Sequence, residues 1–242
     1  MGIFYKVFRA TEQENRRRIL SLLEPRPGGT LLDLGCNDGS FTVEVARAAA
    51  VSEAWGIEVA EPHAQKARER GVRVIMANLD CGIPVSSQSV DIVHSNQVIE
   101  HLTNTDGFLK EIGRVLKPGG YALISTNNLG SWHNVLSLLL GQQPMPAHVS
   151  SEIILGNRFD PRLGQPHPAK EDSHLRIFSW AGLRDLAEWQ GLKVQQLATA
   201  GYYPFPPLVG RWLCRLDRWH GAFLILKAVP NGSSGRGGNG AH

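Results

Sequence analysis

Residues Thr30-Leu-Leu-Asp-Leu-Gly-Cys-Asn-Asp-Gly-Ser40 carry an apolar run (Leu31, Leu32, Leu34) into a Gly35-x-x-x-Gly39 turn. An amphipathic segment follows, the pattern of a buried parallel strand entering a helix over a tight turn. Glycine lets the backbone there approach a ligand closely, and the carboxyl edge of a parallel sheet is where nucleotide-like ligands sit. Glu58 ends the next strand-like run, Ala54–Val59, 19 residues after Gly39. A carboxylate in that place can accept hydrogen bonds from both hydroxyls of a ribose held over the turn. Dinucleotide-binding folds also use an acid here, so Glu58 does not choose between cofactors. The glycine spacing does. A dinucleotide fingerprint needs G-x-G-x-x-G, whereas Ser40 and Phe41 follow Gly39 with no glycine at the last position.

Imidazoles are the next groups able to do chemistry. His101 falls just past the fourth strand-like run and His133 just past the fifth, near the edge where a general base would work; the plainer reading of each is a structural histidine at a helix start. His94 lies inside the fourth run and reads as core. His148, His167 and His174 belong to a long irregular stretch from which they can reach a pocket or face solvent. No pair of His, Asp or Glu stands at an established ligand spacing. Cys36, Cys81 and Cys214 form no CxxC pair. No metal site is expected.

The elements that must position these residues alternate. Thr11-x-x-Glu14 is a capping-box pattern before a helix with Ile19, Leu20, Leu22 and Leu23 on its buried side. Strands are expected near 30–34, 54–59, 72–76, 90–94, 121–125, 192–197 and 222–229. Helices lie between most of them, one capped by Thr103-x-x-Asp106. Lys117-Pro-Gly-Gly120 reads as a turn. Strands alternating with helices give an α/β, doubly wound, mostly parallel seven-stranded sheet. Right-handed crossovers then bring Gly35, Glu58, Asn78, Asn96 and Asn127 to one edge. Residues 1–230 read as a single domain, 141–173 as a proline-rich insertion after the fifth strand, and 231–242 as a disordered tail.

A chain of 242 residues with 42% hydrophobic and 19% charged residues suits one globular core. The 25 Lys and Arg against 22 Asp and Glu leave +3, too little to indicate nucleic-acid binding. Scattered cysteines fit a reducing compartment. Lys6 interrupts the apolar N-terminal residues, so no signal peptide is read there. The longest apolar runs are too short to span a bilayer. A cytoplasmic protein without a transmembrane segment is expected. Trp132, Trp180 and Trp189 read as core. Trp212 and Trp219, with Leu208, Val209, Leu213 and Leu216, can form an apolar helix face outside which lie Arg211, Arg215 and Arg218. Packing beside the last strand is favoured for that face over contact with a membrane or a lipidic substrate.

Leu31–Thr42, Glu58, Ala77-Asn-Leu-Asp80, Asp91–Leu102 and Leu116–Ser125 together resemble the class I S-adenosylmethionine-dependent methyltransferases, nearest the small-molecule branch called type 11. Asp91-Ile-Val-His-Ser-Asn-Gln-Val-Ile-Glu-His-Leu102 and Val115-Leu-Lys-Pro-Gly-Gly120 are similar to that family's fourth- and fifth-strand signatures. The resemblance implies a Rossmann-like methyltransferase fold with S-adenosyl-L-methionine as cofactor. It implies that Asp33 and Gly35 lie beneath the methionine part, that the Gly35–Gly39 turn wraps carboxylate and ribose, and that Glu58 takes the ribose hydroxyls. Asn78 and Leu79 would edge the adenine, and Asn96 would lie near the sulfonium. Two positions depart from the family: Asn37 replaces a usual glycine, and Asn78 replaces a frequent Asp. Asn tolerates a left-handed backbone, so the turn is expected to survive.

Methyl transfer from a sulfonium to a small-molecule acceptor, at oxygen, is the function these readings favour, with 141–173 as a lid over the acceptor. Sugars, glycolipids, quinone-like lipids and secondary metabolites are candidate acceptors. A non-catalytic partner subunit of the same fold is the alternative, and a nicotinamide-dependent oxidoreductase a weaker one. The sequence does not fix the oligomeric state.

Overall fold

A computed structural model describes residues 3–167 and 173–232, with side chains from Tyr5 onward. The expected tail beyond Gly232 lies outside the described residues. The chain runs α1 (Ile3–Leu22), β1 (Thr30–Leu34), α2 (Ser40–Ala48), β2 (Glu53–Glu58), α3 (Glu61–Glu69) and β3 (Arg73–Met76). It continues through β4 (Val90–Asn96), α4 (Thr105–Val115), β5 (Leu116–Asn127), α5 (Trp132–Leu139), α6 (Trp180–Trp189), β6 (Leu192–Ala200), α7 (Pro207–Leu216) and β7 (Phe223–Pro230). Single 3₁₀ turns follow β3 (Leu79–Cys81) and β4 (Ile99–His101).

The seven strands form one sheet in the order β3-β2-β1-β4-β5-β7-β6. β1 is parallel to both β2 and β4, and β4 is parallel to β5. β7 runs antiparallel to its two neighbours. The strand order reverses between β1 and β4, which leaves a crevice at their carboxyl ends.

Alternation along the strands divides the core into two layers, as a pleated sheet covered on both faces requires. Leu32, Leu34, Val93, Leu224 and Leu226 point to the layer made with Phe108, Leu109 and Ile112 of α4 and Leu183 of α6. Leu31, Ile92, Leu123 and Ile225 point to the other, with Ile19 of α1 and Phe41 and Val45 of α2.

Several local readings shift. α1 does not start at Thr11; it is already helical from Ile3, and Thr11 Oγ1 donates back to Val7 O at 2.8 Å, the alternative a mid-helix threonine takes. Its intended partner Glu14 accepts Arg17 and Arg211 instead. Asn104 rather than Thr103 caps α4, accepting Gly107 N at 2.9 Å. Lys117–Gly120 sits inside β5 as a register break opposite Val90 and Ile92. Trp132 and Trp189 are exposed, not core, and so are Leu208, Trp212, Leu216 and Trp219. The α7 face therefore does not pack beside the last strand as expected.

Candidate active site

The turn after β1 is left-handed at three places: Gly35 (φ 76°), Asn37 (φ 49°) and Gly39 (φ 74°). Asn37 thus adopts the conformation that its side chain permits. Gly35 N and Cys36 N both donate to Ile57 O, tying the turn to β2. A side chain at Gly35 would meet Val98 Cγ2 at 2.5 Å, and one at Gly39 would meet Ala67 Cα at 2.8 Å. The missing side chains therefore also let the turn pack against the segment after β4 and against α3.

Glu58 is buried at the end of β2. Its Oε2 accepts Asn37 N, and its Oε1 accepts Val59 N and Ala60 N, each at 2.9 Å. Asp33 is buried deeper, with Oδ2 accepting Thr42 Oγ1 and Oδ1 bonded to His94 Nδ1 at 2.7 Å. It braces β1, β4 and α2 from below the turn. His94 is core, as read, with its ring edge-on to Phe41. Asn78 is exposed, and its Oδ1 accepts Asp80 N, so the 3₁₀ turn carrying buried Leu79 is capped by the amide oxygen. Asn96 Oδ1 accepts Asn15 Nδ2 at 2.8 Å, which binds α1 across the sheet edge.

A cavity of about 220 Å³ opens beyond Asn96, lined by Gln97 and Asn127 at the ends of β4 and β5. Its walls carry Phe8 and Glu12 of α1, His133 and Asn134 of α5, Met145, Pro146 and Arg162 of the long insertion, His174, and Tyr203. The 141–173 insertion is an ordered wall over its described part: Asn157 bonds Ser137 and Gln143, and Ile153 pairs with Pro166. Of its apolar residues Met145 and Ile154 are buried, while Ile153, Leu155 and Phe159 face solvent rather than the cavity.

His133 lines this cavity with its ring edge-on to Tyr203, and burial lowers its pKa to about 4 against a smaller opposing pull from Asp160. His101 does not line it. Its Nδ1 bonds Ser173 O at 3.2 Å and its ring lies 4.9 Å from that of His174. His174 does line the cavity and is lowered to about 4, chiefly by burial. Glu100 was read in the sequence only as part of the fourth-strand signature, with no role of its own. It is fully buried, accepts Thr126 Oγ1 and Asn127 Nδ2, and burial pushes it up to about 7. Glu12 and Arg162 were likewise not singled out, because α1 and the insertion meet only in the tertiary fold.

With this geometry established, residues 7–197 match the family profile of the methyltransferase domain. The chain belongs to the class I S-adenosylmethionine-dependent methyltransferases. Within the family it is 32% identical over 111 residues to the ubiquinone biosynthesis O-methyltransferase of Chelativorans, covering 43% of each chain. It is 30% identical over 162 residues to the botryococcene C-methyltransferase of Botryococcus braunii, covering 62% of this chain and 40% of that one. The chain thus spans less than half the length of these curated relatives. In fold it is similar to a SAM-dependent methyltransferase of Thermotoga maritima, with a TM-score of 0.61 and 20% identity over 93% of this chain and 92% of that one. The family's cofactor is S-adenosylmethionine. A left-handed turn anchored on a strand-end carboxylate suits it, because backbone donors and an acid are already fixed side by side.

Proposed function

We propose that this chain methylates a small-molecule acceptor, at oxygen, in the cavity between α1, α5 and the insertion. One juxtaposition carries the reading: Gln97 lines the cavity while its neighbour Val98 packs on Gly35, so the acceptor space and the cofactor turn are one residue apart. In this reading Glu58 holds the ribose hydroxyls, and the Gly35–Asn37–Gly39 turn holds the ribose and carboxylate. Asp33 supports that turn, Asn78 and Leu79 edge the adenine, and Asn96 stands near the sulfonium. S-adenosylmethionine, when bound, supplies a methyl group already activated for displacement. The protein's part is alignment, which can contribute about 7–11 kcal/mol. His133, lowered to about 4, is neutral at pH 7 and can accept a hydrogen bond from an acceptor hydroxyl. His101 stands outside the cavity, with its ring 4.9 Å from that of His174.

Residues 1–230 act as one domain in this reading, with 141–173 as the acceptor-side lid. The exposed α7 face adds a route for a lipidic acceptor. Leu208, Trp212, Leu216 and Trp219 are each more than half exposed. Arg215 and Arg218 beside them are exposed and form no ion pair among the described residues. Apolar and aromatic residues rimmed by arginine suit an anionic lipid surface. No helix among the described residues is long and apolar enough to cross a membrane, so contact would be peripheral. Calorimetric titration with S-adenosylhomocysteine, then mass spectrometry of a metabolite extract incubated with S-adenosylmethionine, tests the function. Saturable binding and a product heavier by one methylene support it; binding without any methylated product supports the non-catalytic partner instead.

A further inference from the structure

We propose that Glu100, His101 and His174 form a divalent-cation site whose open positions take oxygen atoms of the acceptor. The inference rests on the methyl-transfer reading for what the cation does, but not for whether it binds. One ligand atom from each of the three residues lies within 4.8 Å of the others. Two imidazoles and a carboxylate make the donor set of a facial triad, which leaves positions open for an exogenous ligand. Ligands about 2.1 Å from one ion stand at most about 4.2 Å apart, so the three side chains need to close only slightly.

The surroundings orient these groups as metal ligands are oriented. Pro146 O takes His174 Nδ1 at 2.8 Å, and Ser173 O takes His101 Nδ1 at 3.2 Å. A carbonyl can only accept, so each Nδ1 carries a proton, and when the ring is neutral its lone pair lies at Nε2. His174 Nε2 lies 3.5 Å from Asn127 Nδ2, which also reaches Glu100 Oε1 at 3.3 Å. Leu175 N and Arg176 N both donate to Glu100 O, so the backbone itself locks His174 beside Glu100 across more than seventy residues of chain. Local spacing cannot show such a triad, which is why the sequence alone gives an expectation of no metal.

The charge balance also suits a cation. As ligands, one carboxylate and two neutral imidazoles would carry a single negative charge, and the nearby Arg162 guanidinium is matched by Asp160 at 3.0 Å. Two nitrogen donors select a first-row transition ion over Mg²⁺, which prefers oxygen. His174 and Asn127 both line the acceptor cavity, so an acceptor held there stands beside the triad. An acceptor offering two adjacent oxygens, such as a catechol or a vicinal diol, is the class that would bridge from the ion to the transferred methyl group.

Cobalt(II) titrated into the metal-stripped full chain tests this by its visible absorption, with no need for turnover. One equivalent should bind saturably. His174→Ala and His101→Ala should each weaken it about tenfold or more, and His148→Ala less than about threefold. His148 is the control because its ring meets His167 edge-on at 4.5 Å and lies 5.7 Å from His174, which offers a competing site. Titration of each variant with S-adenosylhomocysteine, at unchanged affinity, shows that it is folded and separates this inference from the cofactor reading. No saturable cobalt binding overturns the proposal. So does equal binding by the His174 and His101 variants, or loss on His148→Ala alone.

Discussion

Asn37 donates its backbone N–H to Glu58 Oε2 at 2.9 Å, so the glycine turn and the acid of the next strand form one unit. Asn37 makes this bond from a left-handed conformation, at φ 49°. Asn37→Gly should leave thermal stability and S-adenosylhomocysteine affinity near those of the wild type. Asn37→Val should cost about 1–2 kcal/mol and weaken the cofactor product at the same time. Thermal melting and calorimetry on the two variants check this. A valine variant with wild-type affinity would separate the turn's geometry from binding.

His133 sets an acid limit on stability. Its folded pKa is about 4, below the ordinary 6.5 of the unfolded chain. Between those values the unfolded state takes up a proton that the folded state refuses. Stability is therefore complete above about 6.5 and falls as pH drops toward 4. His133→Gln should remove up to about 3 kcal/mol of that fall. His148 and His174, lowered in the same direction, should keep part of it. Melting temperatures at pH 7 and pH 4.5 decide the matter; equal losses in variant and wild type would contradict the burial account.

Arg162 tests the insertion as an acceptor wall. Its guanidinium lies over the Phe8 ring at 5.2 Å and lines the cavity away from the glycine turn. Arg162→Ala should raise the acceptor KM or abolish turnover while leaving S-adenosylhomocysteine affinity within about twofold. Full turnover on the true acceptor would remove the insertion from the acceptor site.

The α7 face predicts salt-sensitive lipid binding. Co-sedimentation with vesicles of phosphatidylcholine alone should be weak, and addition of phosphatidylglycerol should increase it. Trp212→Glu and Arg215→Glu should each reduce it. Binding to neither vesicle, or a dimer in solution that Trp212→Glu dissociates, would assign the face to another partner.

The sheet was legible because its strands are apolar runs such as Leu31–Leu34 and Ile92–Val93, punctuated by turns that only a few residues allow. The turn and the strand-end acid beside it were legible for the same reason: Gly35, Gly39 and Glu58 are local features at a fixed spacing. The cavity wall was not, because Glu12, Arg162 and His174 reach one place only through tertiary packing. Helix starts slipped where a side chain had a second option, as when Thr11 turned to Val7 O. The tryptophans misled because size argues for burial, while α7 turns Trp212 outward and Trp219 is exposed just beyond it.

The most direct test of the account is calorimetric titration of S-adenosylhomocysteine into the wild type and into Glu58→Ala. Charge-assisted bonds from ribose hydroxyls to this carboxylate would be worth about 1.5–3 kcal/mol. The variant should therefore bind about tenfold to a hundredfold more weakly, while nicotinamide dinucleotides show no saturable binding to either protein. An unchanged dissociation constant in the folded variant would contradict the assignment of Glu58 and, with it, the cofactor site built on the Gly35–Gly39 turn.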